Sequence, residues 1–154
     1  MRAFLSYSLN DAEQYVLSIL ANKLNEQGFI VSSNYNGRNF IDFERFNAIN
    51  NANLFIGVIT STGQEGNRVF KEWHAALQCK VPALLLLEDN VQLPPEYFNH
   101  PNIIGFNRYN PGPSIDAVKS KISPNTLAPA DNVAAWVLGG FAILALISLL
   151  SDRK

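Results

Sequence analysis

The stretch LFIGVITSTGQEGNRVFKEWHAALQCKVPALLLL, residues 54–87, decides the fold class. It begins and ends with continuous apolar runs of strand length, LFIGVI at 54–59 and PALLLL at 82–87. A polar, glycine-containing loop at 60–66 separates the first run from a helical stripe formed by Val69, Trp73, Ala76 and Leu77. Strands that are apolar throughout are typical of parallel sheets covered by helices on both faces. The stretch therefore predicts a strand–helix–strand unit.

The same alternation continues on both sides of this unit. The pattern predicts further strands at 3–6, 29–32 and 103–106, and further helices at 12–24, 43–49 and 115–122. Asn10 followed by Glu13 has the pattern of an N-cap and its third-position acid, which predicts where the first helix begins. The polar segment 34–39 (NYNGRN) is interpreted as a loop that leads into the second helix.

Five such strands in about 120 residues predict an α/β fold, a flavodoxin-like five-stranded parallel sheet with helices on both faces. Ligands of these sheets bind outside the carboxyl ends of the strands. The loops at those ends are residues 7–10, 34–39 and 60–66. None of them contains a dinucleotide-binding GxGxxG motif or a phosphate-binding GxxxxGK[ST] motif.

Composition excludes several classes of protein. The chain has 154 residues, 47% of them hydrophobic and only 16% charged, which excludes a disordered protein. Its net charge of −1 argues against a nucleic-acid partner, since binding to phosphates normally requires a basic excess. Cys79 is the single cysteine, and His74 and His100 stand alone, so neither a disulfide framework nor a metal site is expected.

The last third of the chain carries a long uncharged segment, Val133–Ser151 (VAAWVLGGFAILALISLLS). Its 19 residues are about long enough to cross a bilayer as a helix, so we predict a C-terminal transmembrane helix. The predicted organisation is a domain at 1–122 in the cytoplasm, a linker at 123–132 and a single membrane span. Burial of the helix in a protein assembly is the alternative. Small residues that favour self-association of such helices are Ala135, Gly139 and Ala142.

Three motifs within residues 1–122 resemble those of one family. FLSYSLND at 4–11 is similar to the first conserved box of Toll/interleukin receptor (TIR) domains, the bacterial ones in particular. AINNANLFIGVITS at 48–61 resembles the family's third strand and its exit. VFKEWHAALQCKVPALLLL at 69–87 resembles the helix and strand that follow. The order and spacing of the three motifs carry the resemblance.

The resemblance implies an activity and a catalytic residue. Many TIR domains cleave NAD+ at the nicotinamide–ribose bond with a glutamate on the helix after the third strand, which corresponds to Glu72 here. The chain departs from the family one turn earlier, where Arg68 replaces a frequent tryptophan and Trp73 instead follows the glutamate. The apolar stripe independently places Glu72 at the edge of the buried face. The alternative is a solvated glutamate paired with Lys71 or Arg68.

Candidate substrate-binding residues lie at the ends of the predicted strands, except Trp73, which lies on the helix after the third strand. They are Ser6, Tyr7, Ser8, Arg38, Thr60, Ser61 and Trp73. The hydroxyls would contact ribose or phosphate, and Arg38 would meet either a pyrophosphate or a neighbouring copy of the domain. Trp73 fits a core position better than a stacking platform for a base.

Together these features predict a membrane-anchored TIR-domain NAD+ nucleosidase in antiviral defence. It would either hydrolyse NAD+ or make an ADP-ribose-type signal, and it would need no cofactor beyond NAD+ as substrate. The expected partners are NAD+, the lipid bilayer and other copies of the chain. Two alternatives remain open: a non-catalytic TIR adaptor that works by self-assembly, and a nucleoside deoxyribosyltransferase-like enzyme.

Overall fold

The fold is an alternating arrangement of strands and helices, seen in a computed structural model that describes residues 1–32, 43–63, 65–97, 99–121 and 133–151. The strands are β1 (Arg2–Ser8), β2 (Ile30–Ser32), β3 (Leu54–Ile59), β4 (Ala83–Glu88) and β5 (Ile103–Phe106). The helices are α1 (Tyr15–Glu26), α2 (Phe43–Asn50), α3 (Gly66–Gln78), α4 (Gly112–Lys121) and α5 (Val133–Ser151). Short 3-10 turns occupy Asp11–Glu13 and Pro95–Tyr97.

The five strands form one parallel sheet in the order β2-β1-β3-β4-β5. The predicted α/β fold with a five-stranded parallel sheet is confirmed, and the order is the flavodoxin-like one. The direction of winding reverses between β1 and β3, where Ser6 lies opposite Gly57 and Ser8 opposite Ile59. In sheets of this kind the ligand crevice lies at the carboxyl ends of the two strands that flank the reversal.

An apolar core lies on each face of the sheet because side chains alternate along the central strands. Leu54, Ile56 and Val58 of β3 pack in one core with residues of α1, α4 and α5. Phe55 and Ile59 pack in the other core with residues of α2 and α3. Every residue of β3 and of β4 is buried, which explains their continuous apolar sequences.

The C-terminal apolar segment forms α5 and packs on the sheet. Five of its side chains are buried in the core shared with α1 and α4, namely Ala142, Ile143, Leu146, Ile147 and Leu150. Among the described residues, no helix has the length and apolarity needed to cross a membrane. The predicted transmembrane helix and the membrane localisation are therefore wrong, and the lipid bilayer as a partner stays a prediction. The apolar sequence supplies one side of the domain core, and the predicted linker at 123–132 lies outside the described residues.

Gly139 lets α5 approach the sheet closely. A Cβ atom at this position would lie 2.8 Å from Cδ1 of Leu54 and 3.2 Å from Cδ1 of Leu84. Ala142, three residues further along α5, is also buried. Two of the small residues predicted to support self-association of this helix therefore contact the core of their own domain.

The close approach at Gly139 predicts a cost for any larger side chain. Gly139→Leu should lower the free energy of unfolding by about 1–3 kcal/mol, because overpacking outweighs the gain in helix propensity. The matched control is Ser148→Leu on the exposed side of α5, which should change stability by less than about 0.5 kcal/mol. Urea unfolding of both variants measures the difference. Equal stabilities would contradict the docking of α5 on the sheet.

Candidate active site at the carboxyl ends of the strands

Glu72 lies in the second turn of α3, the helix that follows β3. Its neighbours Val69, Trp73 and Ala76 are fully buried in the core between α3 and the sheet. Glu72 itself is 0% exposed, although the helical stripe placed it only at the edge of the buried face. The alternative of a solvated glutamate is therefore wrong, but its expected pairing with Arg68 is present.

Arg68 holds one oxygen of the Glu72 carboxylate, one helical turn earlier in α3. Its Nη1 donates a hydrogen bond of 2.6 Å to Glu72 Oε1, while Nη2 donates one of 2.6 Å to the backbone oxygen of Tyr7. Its Nε donates to Glu65 Oε2 at 3.1 Å. Because Tyr7 belongs to β1, Arg68 joins the glutamate to the end of the neighbouring strand. Arg68 is therefore part of the glutamate's environment.

Arg45 is a second buried arginine next to Glu72, contributed by α2. It is 0% exposed, and its Nη1 lies 3.8 Å from Glu72 Oε1. Arg45 was not predicted as a site residue, because the helix was inferred from Phe43, Phe46 and Ile49, of which only Ile49 is buried. The signal that could have found it is its i, i+4 spacing from Ile49, which places both residues on the buried side of α2.

Burial and the two arginines act on Glu72 in opposite directions. Burial disfavours the charged form and raises the pKa of the carboxyl. Arg68 opposes this rise most strongly, followed by Arg45 and, weakly, by the Ser6 hydroxyl, but the pKa of Glu72 stays above its ordinary value. The site thus holds a carboxylate whose charge depends on its arginine neighbours.

Two buried polar atoms in this site have no hydrogen-bond partner among the described residues. They are Oε2 of Glu72 and Oγ of Ser6, a residue of β1 that is 1% exposed. The Ser6 hydroxyl is close enough to influence the pKa of Glu72, although its geometry does not make a hydrogen bond. An unsatisfied buried polar group costs about 1–3 kcal/mol and calls for an explanation. A ligand that bonds to both atoms is one such explanation.

The loop after β3 is fastened to the end of β1. Thr60 Oγ1 donates to the Ser8 backbone oxygen at 2.9 Å, and the Glu65 N–H donates to Ser8 Oγ at 3.0 Å. Gly63 lies against Ser8 so closely that a Cβ atom would collide with the backbone carbonyl and hydroxyl of Ser8. Two predicted binding residues, Ser8 and Thr60, therefore hold this loop in place.

A second polar cluster lies beside the loop, centred on Arg108 after β5. Arg108 donates to both oxygens of Glu88, at 2.8 and 3.1 Å, and to Glu13 Oε2 at 2.7 Å. Glu88 Oε1 also accepts hydrogen bonds from the N–H and hydroxyl of Ser61, at 2.7 and 2.9 Å. Burial alone would raise the pKa of Glu88, but the hydrogen bonds from Arg108 and Ser61 outweigh it and lower that pKa.

The sequence analysis missed Arg108 and Glu88 and gave Glu13 a different role. Glu13 pairs with Arg108 instead of capping a helix, and the Asn10 amide donates to Thr62 Oγ1 at 2.8 Å. The predicted capping pattern is therefore wrong: a 3-10 turn covers Asp11–Glu13, and α1 begins at Tyr15. Glu88 could have been noticed, because it is the first charged residue after the apolar run of β4.

The other predicted site residues fall in different places. Trp73 is 0% exposed, with its ring centroid 5.8 Å from that of Tyr97 and 5.1 Å from that of His100, so it lies in the core. Tyr7 is half-buried at the end of β1. Arg38 lies outside the described residues. Within the described part of the chain, no group of three or more His, Cys, Asp or Glu residues could hold a metal ion.

Comparisons with known proteins add a fold likeness. No protein-family model and no curated protein matches the chain. Among solved structures, it is similar to the TIR domains of the activated Roq1 resistosome directly recognizing the pathogen effector XopQ. The identity is 17%, the TM-score is 0.47, and the match covers 97% of this chain and 82% of that one. A likeness at this level does not establish family membership, so function rests on the site itself.

Proposed function

We propose that the chain is a TIR-like NAD+ nucleosidase that cleaves the nicotinamide–ribose bond with Glu72. The observation that carries the proposal is the unpaired Oε2 of a buried carboxylate beside the unpaired hydroxyl of Ser6. Ser6 belongs to β1, which flanks the reversal of the sheet where such folds bind ligands, and Arg68 joins Glu72 to the end of the same strand at Tyr7. The TIR-like motifs of the sequence support the same residue, and the bacterial character of the first motif supports a role in antiviral defence.

The chemistry of the bond suits a site with one carboxylate. Nicotinamide leaves the pyridinium form of NAD+ as a neutral molecule, so its departure needs no general acid. Positive charge then develops on the ribose, as in glycoside hydrolysis, and a carboxylate stabilises it. Water attack at the same carbon would give ADP-ribose, nicotinamide and one proton. Arg68 would hold Oε1 while Oε2 faces the sugar.

Access to Glu72 requires a change in the structure. Because the side chain is 0% exposed, a substrate reaches Oε2 only after a covering group moves. We propose that association between copies of the chain stabilises the open arrangement. An enzyme of this kind is nearly inactive as an isolated copy, since the closed state predominates.

This proposal predicts that activity depends on protein concentration. Nicotinamide release per molecule should rise several-fold or more between dilute and concentrated protein, because only associated copies expose the carboxylate. Release can be followed by chromatography over a hundredfold range of protein concentration, alongside light scattering to measure association. A constant rate per molecule across that range would contradict coupling between assembly and activity.

A second function, a non-catalytic assembly module, is favoured by one observation. Glu72 is enclosed by Arg68 and Arg45, an arrangement that also suits a purely structural buried ion network. Such a module would associate without consuming NAD+.

One experiment separates these functions and the third alternative. Concentrated protein is incubated with NAD+ in one reaction and with a deoxynucleoside plus a free base in another, and the products are identified by mass spectrometry. The proposal predicts free nicotinamide only in the first reaction. Base exchange in the second would favour a deoxyribosyltransferase. Absence of products in both, with association demonstrated, would favour the assembly module.

A further inference from the structure

Arg108 connects the carboxyl ends of four strands. It follows β5 and pairs with Glu13, which follows β1, and with Glu88, the last residue of β4. Glu88 in turn accepts two hydrogen bonds from Ser61, which follows β3. The side chains of Arg108, Glu88 and Glu13 are 13%, 6% and 1% exposed, so these ion pairs are largely shielded from water.

Ser61 is the point where this cluster meets the proposed active site. Glu88 binds the loop at Ser61, while Ser8 binds it on both sides of Ser61 by accepting hydrogen bonds from Thr60 and Glu65. Glu65 also accepts from Arg68, which orients the Glu72 carboxylate. A shift of the loop at Ser61 would therefore move Glu65, the residue that accepts a hydrogen bond from Arg68.

We infer that Arg108 is a positioning residue for the Glu72 site, acting through Glu88 and the Ser61 loop; this rests on the proposed function. Arg108 does not touch the site itself. Its planar guanidinium binds Glu88 with two nitrogens and Glu13 with the third, which fixes the direction of the Glu88 carboxylate. Misplacement of a catalytic group by about 1 Å can cost on the order of a hundredfold in rate, so such support is measurable.

The test compares Arg108→Gln and Arg108→Lys with the control Lys119→Gln, which removes a charge from an exposed position of α4. Lysine keeps the charge but lacks the forked geometry, so it should restore activity only in part. We expect kcat for NAD+ to fall by about tenfold or more in Arg108→Gln, by less in Arg108→Lys, and to remain unchanged in Lys119→Gln.

Hydrogen exchange separates a local effect on the loop from general destabilisation, and kcat shows whether that local effect reaches Glu72. If Arg108 positions the loop, protection of the Ser61 amide should fall at least about tenfold more than protection of Ile56 in β3. Equal losses at both amides would mean general destabilisation and would overturn the inference. Unchanged protection at Ser61 in either folded variant would overturn it as well. If Arg108→Gln does not fold, the same two measurements are made on Arg108→Lys.

The two proposals fail in different ways. If the parental chain releases no nicotinamide, the proposed function fails, while selective loss of Ser61 protection still supports the link between Arg108 and the loop. If the parental chain is active and Arg108→Gln keeps the parental kcat, the positioning role fails and the proposed function stands.

Discussion

Glu72→Gln is expected to reduce nicotinamide release from NAD+ by about a hundredfold or more. Glutamine keeps the size of the side chain but removes the negative charge that the proposed mechanism places beside the developing positive charge on the ribose. Loss of one such electrostatic contact costs about 2.7–4 kcal/mol in the barrier, which corresponds to the expected factor. Initial rates at one high protein concentration measure the effect.

Controls must separate chemistry from folding, because Glu72 is fully buried. The single variant leaves Arg68 and Arg45 without their shared carboxylate, and breaking a buried pair costs about 3–5 kcal/mol. The double variant Glu72→Gln/Arg68→Gln removes both members of the shorter pair and should recover part of that stability but none of the activity. Glu26→Gln, at an exposed position at the end of α1, should remain active. A folded Glu72→Gln chain with near-parental turnover would refute the assignment.

Arg68→Gln is expected to lower the free energy of unfolding by about 3–5 kcal/mol at neutral pH. It leaves Glu72 buried with only the more distant Arg45, 3.8 Å away, as a cation among the described residues. Urea unfolding at pH 7 measures the loss. Arg2→Gln, at an exposed position of β1, serves as the matched control. A decrease in the free energy of unfolding of less than about 1 kcal/mol would show that the ion pair between Arg68 and Glu72 contributes little to stability.

The same variant should change the pH dependence in a defined direction. Burial already raises the pKa of Glu72 above its ordinary value of 4.5. The resulting stabilisation of the folded chain is fully present at a pH below 4.5, and it is lost as the pH rises through the pKa of the folded chain. Without Arg68 the pKa of Glu72 rises further, so the protonated carboxyl stabilises the folded chain up to a higher pH. If catalysis needs the carboxylate, the acid limb of kcat/KM shifts to higher pH. If the acid limb of kcat/KM in Arg68→Gln lies at the same pH as in the parental chain, this role of Arg68 is contradicted.

Glu88 contributes to the pH dependence with the opposite sign. Its pKa is lowered in the folded chain, so its stabilisation is present above the ordinary value and is lost as the pH falls through the folded pKa. Acidification therefore weakens the Arg108 cluster only below the ordinary pKa of a glutamate, whereas Arg68→Gln changes the titration of Glu72 above that value.

The sheet was predictable because its signal is local. The apolar runs of β3 and β4 and the helical stripe of α3 each lie within a few residues of sequence, and a strand–helix–strand unit follows from them. Glu72 was singled out by the resemblance to TIR domains, and the stripe added only that it lies at the edge of the buried face. Its two arginines were harder to assign, because pairing with Arg45 depends on how α2 packs against α3.

The errors arose where a local pattern had more than one physical meaning. An uncharged run of 19 residues suits a bilayer, but it equally suits α5, whose one side forms part of the core. Asn10 and Glu13 have the spacing of a helix cap, yet Glu13 pairs with Arg108, 95 residues away. A single sequence contains no local signal for a contact over that distance.

Cleavage of NAD+ by this chain can be tested by mass spectrometry of the products that the concentrated full chain forms in water enriched in oxygen-18. We expect free nicotinamide in amounts that grow with time. The heavy oxygen should be found on the released ADP-ribose if water attacks, and it should be absent from a cyclic product. Intact NAD+ after prolonged incubation, with association of the chains demonstrated in the same sample, would contradict this expectation.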